Sequence, residues 1–541
     1  MKRRDFLRST AALGSLALAD TAPAAERSTA PLAAGTGPLA GAGPLVKGGV
    51  YQAGSLAQLF VDPLVVRQAD NVSFALHPAR KHPANPLVVA DQPWEGWRLE
   101  IYGNVIFDRQ EQLFKMWYFG ESPDYFVGNA AFYATSADGI HWNKPLVGTI
   151  EARIPGKHNA VAAGTLEPNV FKDLNENDPA LRYKMITYQW DGKSHAPDSP
   201  DQGYHTFVSP DGLHWTRHGE KRICPGADVI TGYYDRQRKL WVALAKITDV
   251  PVAHGRRFFW LVTSPDFATW SEPRLVMHAD ARDDAGAMAR IEEVRSLLDV
   301  PDAAELIHTE FYGAGFYQAE SCVLAFPWIF TINNNARYGN QEGPSELQLA
   351  VTRDLEHWER PFRLACVERG APDAWDPGFV VTQGEALRVG DEIWLYYGGG
   401  NYLHGTPCCY LPDDPKRKTV YTSSIGLAIW PLDRFVSVDG PAEGGRLTTV
   451  PLAFAGNRLE LNVNTNRRGQ SGSVRVELLD AAQKPLAGLG LSDEIKADAI
   501  RHTVTWSGNP DVAQWQGQPV SLRFHLAGAE LFSFAFREAK A

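Results

Sequence analysis

Apolar residues alternate with polar ones in short runs along most of the chain, and Gly, Pro, Asn or Asp closes each run. That pattern predicts β-strands joined by tight turns. One phrase recurs. Phe132 to Trp142, FYATSADGIHW, is an alternating run, a tight turn at Ser136-Ala137-Asp138-Gly139, and then His141 and Trp142. FVSPDGLHW ends at Trp215, LVTSPDFATW at Trp270 and LAVTRDLEHW at Trp358. A degenerate fifth copy, IGLAIWPLDRFVS, sets Asp433 and Phe435 in the Asp and Trp places. Strand, Asp-turn and Trp repeated at this spacing predict blades of a β-propeller, since a four-stranded blade needs at least about 40 residues. Five copies predict five blades, with the four Trp residues packing blade on blade.

Each blade repeats one order: a channel strand, an aromatic strand, an outer strand and the Asp-turn. Blade one starts at Arg98 with LEIYGNVIFD and LFKMWYF. Blade two has GTLEPNVFKD, YKMITYQ and YHTFVS, and blade three has ADVITGYYD, LWVALAKI and FFWLVTS. Blade four has HTEFYGAGFY, CVLAFPWIFTI and LQLAVT, and blade five runs from WDPGF to SSIGLAIW. Between blades three and four, Asp284 to Leu298 has helix-forming composition, with Met288, Ile291, Val294, Leu297 and Leu298 near i, i+3, i+4 spacing. After Gly440 the texture changes to short alternating strands without the Asp-turn phrase: GNRLELNVNT, GSVRVELLD, IRHTVTW, VSLRFHL and ELFSFAF. The fold class expected is all-β, a five-bladed β-propeller over 50–440 followed by a C-terminal β-sandwich over 441–541.

The N-terminus reads as an address. Arg3-Arg4-Asp5-Phe6-Leu7-Arg8 fits the twin-arginine export pattern, an apolar run follows, and Ala22-Pro23-Ala24 offers a cleavage site. Residues 1–24 are thus expected to be a signal peptide and 25–49 a flexible leader, which places the mature protein in the periplasm or outside the cell. No other apolar run is long enough to span a membrane. Twin-arginine export carries folded proteins, and the five cysteines are odd in number, so the fold is not expected to depend on disulfides. A length of 541 residues suits two domains, and a net charge of −10 argues against nucleic acid as a partner.

In a propeller the first strand of each blade lines the central channel. Those strands contribute Glu100, Glu167, Asp228, Glu310 and Asp376, one acid near the start of each. A half-buried acid is costly unless it binds a cation, accepts hydrogen bonds or does acid–base work. Acids converging on an aromatic-walled pocket suit glycosidic cleavage, which needs one protonated carboxyl and one ionised carboxylate. Trp94, Trp97, Trp190, Tyr312 and Trp375 are candidate sugar-stacking rings. The basic cluster His77, Arg80, Lys81 and His82 is a candidate rim of the pocket. No cofactor is required by this chemistry, and Ca²⁺ on channel carboxylates and carbonyls stands as an alternative. Templates for nucleotide, serine-hydrolase and zinc chemistry are missing from the sequence.

The phrases HPARKHPANPLVV, LFKMWYF, DEIWLYYGGGN and SIGLAIWPLDRFVSVD carry a resemblance to the five-bladed propeller glycoside hydrolases, the group containing families 32, 43, 68 and 130, and within it to a set of secreted bacterial proteins. It covers residues 55 to 541. The resemblance implies a carbohydrate substrate. It also implies that LEPNVF puts Glu167 in the transition-state-stabiliser position, that ADVITGYYD puts Asp228 in the general-acid position, and that Glu100 takes the first-blade position. The chain departs from the group in lacking an Asn-Asp-Pro-Asn-Gly opening, in having Glu at 167 and in having Asp at 228. Two rival functions remain open. One is a polysaccharide lyase with a base or neutralising group from His77, Arg80, His82, Tyr312 and His404. The other is a non-catalytic sugar-binding propeller.

Overall fold

The computed structural model describes residues 46–96, 98–121, 130–150, 154, 156–189, 202–219, 221–226, 228–248, 255–336, 341–405, 421–469 and 471–539. The signal peptide, most of the leader, Trp97, Trp190, Cys408 and Cys409 lie outside them.

Alternation of buried and outward side chains produces five successive antiparallel sheets. Their inner strands are Arg98–Asp108, Thr165–Lys172, Ile230–Asp235, His308–Gln318 and Val380–Thr382. Each inner strand contacts the next, and the fifth contacts the first, so the five sheets close into a ring. The fifth sheet takes its outermost strand, Arg80–Lys81, from the N-terminal segment, and Val88–Val89 pairs with the same neighbour. Joining the two ends of the propeller in one sheet removes an exposed edge.

The Asp-turn is the joint between blades. Asp138 Oδ1 accepts from the backbone N–H groups of Ile140 and His141, and Asp211, Asp266 and Asp354 repeat the arrangement. The residue after the Asp turns left-handed: Gly139, Gly212, Phe267 and Leu355 have φ of 76°, 81°, 66° and 74°. Glycine takes that conformation freely. Phe267 and Leu355 take it at a cost, offset by burial of their side chains. The turn then docks on the preceding blade: Gly139 O accepts from Tyr396 of blade five, and Gly212 O from the Trp117 indole of blade one. Trp142 meets Tyr396 edge-on at 5.8 Å, which matches the packing role read for the repeated Trp. In the degenerate copy, Phe435 packs on Trp430 and on Phe326 of blade four.

The helical insertion forms as Ala281–Ala285 and Ala287–Glu293, followed by a 3-10 turn at Arg295–Leu297. It begins earlier than the expected Asp284, because Asp280 and Asp283 build a capping box. Met288, expected on the apolar stripe, is exposed. Arg290 is buried instead, donating to Thr331 and Thr309.

Two further sheets form the sandwich. One orders Asp498–Thr503, Arg458–Asn464, Ala529–Arg537, Val436–Gly440 and Ser73–Leu76, with Gln58–Leu59 alongside. The other orders Ser473–Leu479, Ser521–Ala527, Gly445–Thr449 and Val66–Asp70. Phe60 lies between Phe524 of one sheet and Phe534 of the other, with ring centroids 6.1 and 5.8 Å away. The expected division at 440 therefore does not follow the sheets, since strands between 58 and 76 and strand Val436–Gly440 belong to the sandwich. The expected leader also ends early, with Val46–Lys47 pairing with Val50–Gly54. Among the described residues, no helix is long and apolar enough to cross a membrane.

Candidate active site

The inner strands of blades one, two and four shift register at or just beyond their acid: between Glu100 and Asn104, between Leu166 and Asn169, and between Phe311 and Ala314. Such bulges re-aim side chains at the ends of strands. Glu167 and Asp228 go further and sit left-handed at φ 60° and 63°. Non-glycine residues held there cost on the order of 1–3 kcal/mol each and persist only where their surroundings over-determine them.

Four of the five acids are joined in one network. Glu100 accepts from Arg98 Nε at 2.7 Å and from the Tyr402 hydroxyl at 2.9 Å. Glu310 accepts from Arg257 and from His308 Nε2, the latter at 2.8 Å. Burial opposes its ionisation, but the His308 hydrogen bond and the Arg257 charge outweigh it and hold its pKa below the ordinary glutamate value. Asp228 is ion-paired with Lys246 and lies 3.1 Å from the Tyr312 hydroxyl. Lys246 rests 3.6 Å above the Tyr312 ring. Burial lowers the pKa of Lys246 despite the neighbouring Asp228 charge.

Glu167 differs from the others. It is fully buried, Oε2 accepts from the Ile230 N–H at 2.7 Å, and Oε1 has no partner among the described residues. Burial and then the nearby Asp228 charge raise its pKa well above the ordinary value. Asp228 is the open acid, with a side chain 38 % exposed against 0–4 % for Asp108, Glu95, Glu100 and Glu310. Charged side chains of both signs thus surround a carboxyl whose pKa burial raises and an ion-paired carboxylate, an arrangement able to give one proton and take another.

Tyr312 and His404 join this network, and both are buried. Asp376 stands apart, accepting from Lys81 at 2.6 Å and from Tyr397 at 2.8 Å, with Trp375 packed against Tyr397. Among the described contacts, none ties it to the other four acids.

The expected rim does not form from His77, Arg80 and His82. His77 contacts Ser437 at 2.7 Å at the junction with the sandwich, close to Asp439 and Glu530. Arg80 is exposed on the outermost strand of blade five, 3.8 Å from Glu392, and His82 Nδ1 accepts from the Ala84 N–H beyond that strand. The segment carrying them closes the ring from outside; only Lys81, facing the other way, reaches a channel acid. Trp94 is a brace, its indole donating to Asn159 Oδ1 at 2.7 Å.

Arg98, Lys246, Arg257, His308 and Tyr402 are site residues that the acid pattern alone missed. Arg98 and His308 had a signal: each stands two positions before its acid, which in a strand means the same face. Lys246 also had one, as the only charge in LWVALAKI. Calcium on these carboxylates would have to displace Arg98, Lys246 and Arg257. Near His77, the Arg467 guanidinium already bridges Asp439 and Glu530 at 3.0 and 3.2 Å. Neither donor set fits a divalent ion.

No family model matches the chain, and no curated protein matches it. Solved structures do show distant similarity. A β-1,2-mannobiose phosphorylase from Listeria innocua is similar over 66% of this chain and 97% of its own, at 11% identity and a TM-score of 0.40. A family 43 arabinoxylan arabinofuranohydrolase from Bacillus subtilis covers 86% of this chain and 99% of its own, at 11% identity and a TM-score of 0.36. An N-acetylgalactosamine deacetylase from F. plautii covers 68% and 96%, at 14% identity and a TM-score of 0.39.

Proposed function

We propose that the chain is an exported glycoside hydrolase acting on a polysaccharide or oligosaccharide, with Glu167 as general acid and Asp228 as the ionised partner. One observation carries the reading: a buried carboxylic acid with an unpartnered oxygen beside an ion-paired, partly open carboxylate. Glu167 Oε2 is engaged by a backbone N–H, so the proton belongs on Oε1. Asp228, ion-paired with Lys246, is the group to attack the anomeric carbon or activate water. These roles differ from those the family resemblance implies, which made Glu167 the transition-state stabiliser and Asp228 the general acid. Arg98, Arg257 and Tyr402 hold Glu100 and Glu310 for sugar hydroxyls. Asp376 and Trp375 are the expected candidates left outside this assignment, and the twin-arginine leader supports periplasmic or extracellular delivery.

The test is a panel of polysaccharides and aryl glycosides incubated with the purified mature protein, read by reducing ends and by ultraviolet absorbance. Reducing sugar that Glu167→Gln and Asp228→Asn each abolish is the expected result. The Tyr312–His404 contact favours a second reading, a lyase, which an ultraviolet-absorbing product would establish in place of hydrolysis. Sugar binding without turnover across the panel would leave a binding propeller.

A further inference from the structure

The Tyr312 hydroxyl stands between two acceptors, 3.1 Å from Asp228 Oδ2 and 3.2 Å from His404 Nε2. The other ring nitrogen of His404, Nδ1, is 2.6 Å from the carbonyl oxygen of Gln341. A carbonyl only accepts, so Nδ1 carries the hydrogen. Burial, and next the Arg257 charge, press the imidazole toward its neutral form, which makes Nε2 a lone pair. One phenolic hydrogen therefore faces two acceptors and serves one at a time.

We propose that Tyr312 and His404 are positioning residues for Asp228, directing that one hydrogen according to the state of the carboxyl. While Asp228 is ionised, the phenol donates to it, because a hydrogen bond to a charged acceptor is the stronger. When Asp228 gains a proton on Oδ2, its own O–H donates to the phenol oxygen and the phenolic hydrogen turns to His404 Nε2. The proton that Asp228 gains comes from solvent or from the reacting water, and within the chain of groups only the phenolic O–H rotates. Every donor has an acceptor in both states, so the carboxyl can change charge without leaving a polar group unsatisfied.

The fixed surroundings assign the mobile part. Lys246 occupies Asp228 Oδ1, which leaves Oδ2 to take the proton. Glu167 and Tyr204 also face Asp228. Lys246 and Arg257 lie over the Tyr312 ring, and Arg257, Lys246 and Arg98 act on His404. None of those cations can accept a hydrogen. The inference rests on Asp228 being a reacting carboxylate, and its first test needs no turnover.

The mature chain labelled with ¹⁵N-histidine gives the tautomer of His404 directly, with its signals assigned by their loss in His404→Gln. Across about pH 3 to 8 His404 should stay an Nδ1–H tautomer while its Nε2 resonance moves along one titration curve. That movement should vanish in Tyr312→Phe and in Asp228→Asn. A static Nε2 resonance, equal movement in Tyr312→Phe, or an Nε2–H tautomer would overturn the proposal. Where a substrate is turned over, the acid limb of kcat/KM, set by the carboxylate pair, supplies a second readout. Tyr312→Phe should move it up and His404→Leu down, each by about half to one pH unit, and His404→Gln should restore it. Shifts of the same sign would also overturn it. A titrating Nε2 resonance with no hydrolysis of any sugar would uphold the pair and sink the hydrolytic reading alone.

Discussion

The inner strand of blade one carries a carboxylate near each end, and the two ends of the propeller treat such groups in opposite ways. At the far end, Asp108 accepts from Lys115 at 2.9 Å, Lys172 at 2.7 Å and the Tyr183 hydroxyl at 3.0 Å. Burial opposes its charge, yet Lys172 and Lys115 outweigh it and hold its pKa far below the ordinary aspartate value. At the end of the blade-three strand, Asp235 is likewise held by Arg238 at 2.7 Å. At the mouth, Glu167 has one backbone donor, a spare oxygen and a second carboxylate for a neighbour. Residue type and burial are alike at both ends. The partners differ: donors in excess make a rivet, and a donor deficit beside a like charge makes a site.

The largest effect that sharpens this contrast is catalytic. Glu167→Gln should lower turnover by about 10²–10⁴-fold with the fold retained by circular dichroism; a variant of undiminished activity would remove Glu167 from the mechanism. Asp108→Asn should do the reverse. Breaking a buried pair costs about 3–5 kcal/mol, read as a lower urea midpoint, while activity per folded molecule holds.

Next comes the pH dependence of stability, where the two ends should have opposite signs. Glu167 has a raised folded pKa, so its contribution is complete below the unfolded value and is lost as pH rises through the folded one. Asp108 has a lowered one, so its contribution is present above the unfolded value and is lost as pH falls through the folded one. Urea unfolding of each variant against wild type, over about pH 3 to 8, measures both. Parallel trends would erase the distinction.

The smallest effect lies at the joints. Gly212→Ala sets a Cβ at φ 81° and 2.7 Å from the Trp117 ring, and should cost about 1–2 kcal/mol without touching kcat. A change in kcat there would mean that the joints transmit to the mouth.

Much of this was legible in the chain. Five sheets close the ring where the Asp-turn phrases recur, and the five strands read after Gly440 form where alternation places them, with Gly445–Thr449 as a sixth sandwich strand. Glu100, Glu167 and Glu310 were legible because each stands near the start of an inner strand, while Asp228 and Asp376 precede theirs. Of the rings and bases proposed beside them, Tyr312 and His404 reach the network, whereas His77, Arg80 and His82 do not. Periodicity says which face of a strand a side chain takes; it does not say which sheet that strand will join. His77 and Arg80 follow directly on strands of the sandwich, and their segment closes blade five from outside.

The amino-acid order by itself determined the local objects: the turns that need a left-handed residue after Asp, the strands, and one acid at or just before the head of each inner strand. Those depend on backbone sterics and a period of two, both fixed by near neighbours. The tertiary structure alone decided which charges meet. Lys246 reaches Asp228 because neighbouring strands pair, and Arg257 and His404 reach Glu310 and Tyr312 because successive blades close into a ring. A carboxyl's chemistry is set by the charges and donors within a few ångströms, and the ring brings those together from residues far apart in the chain.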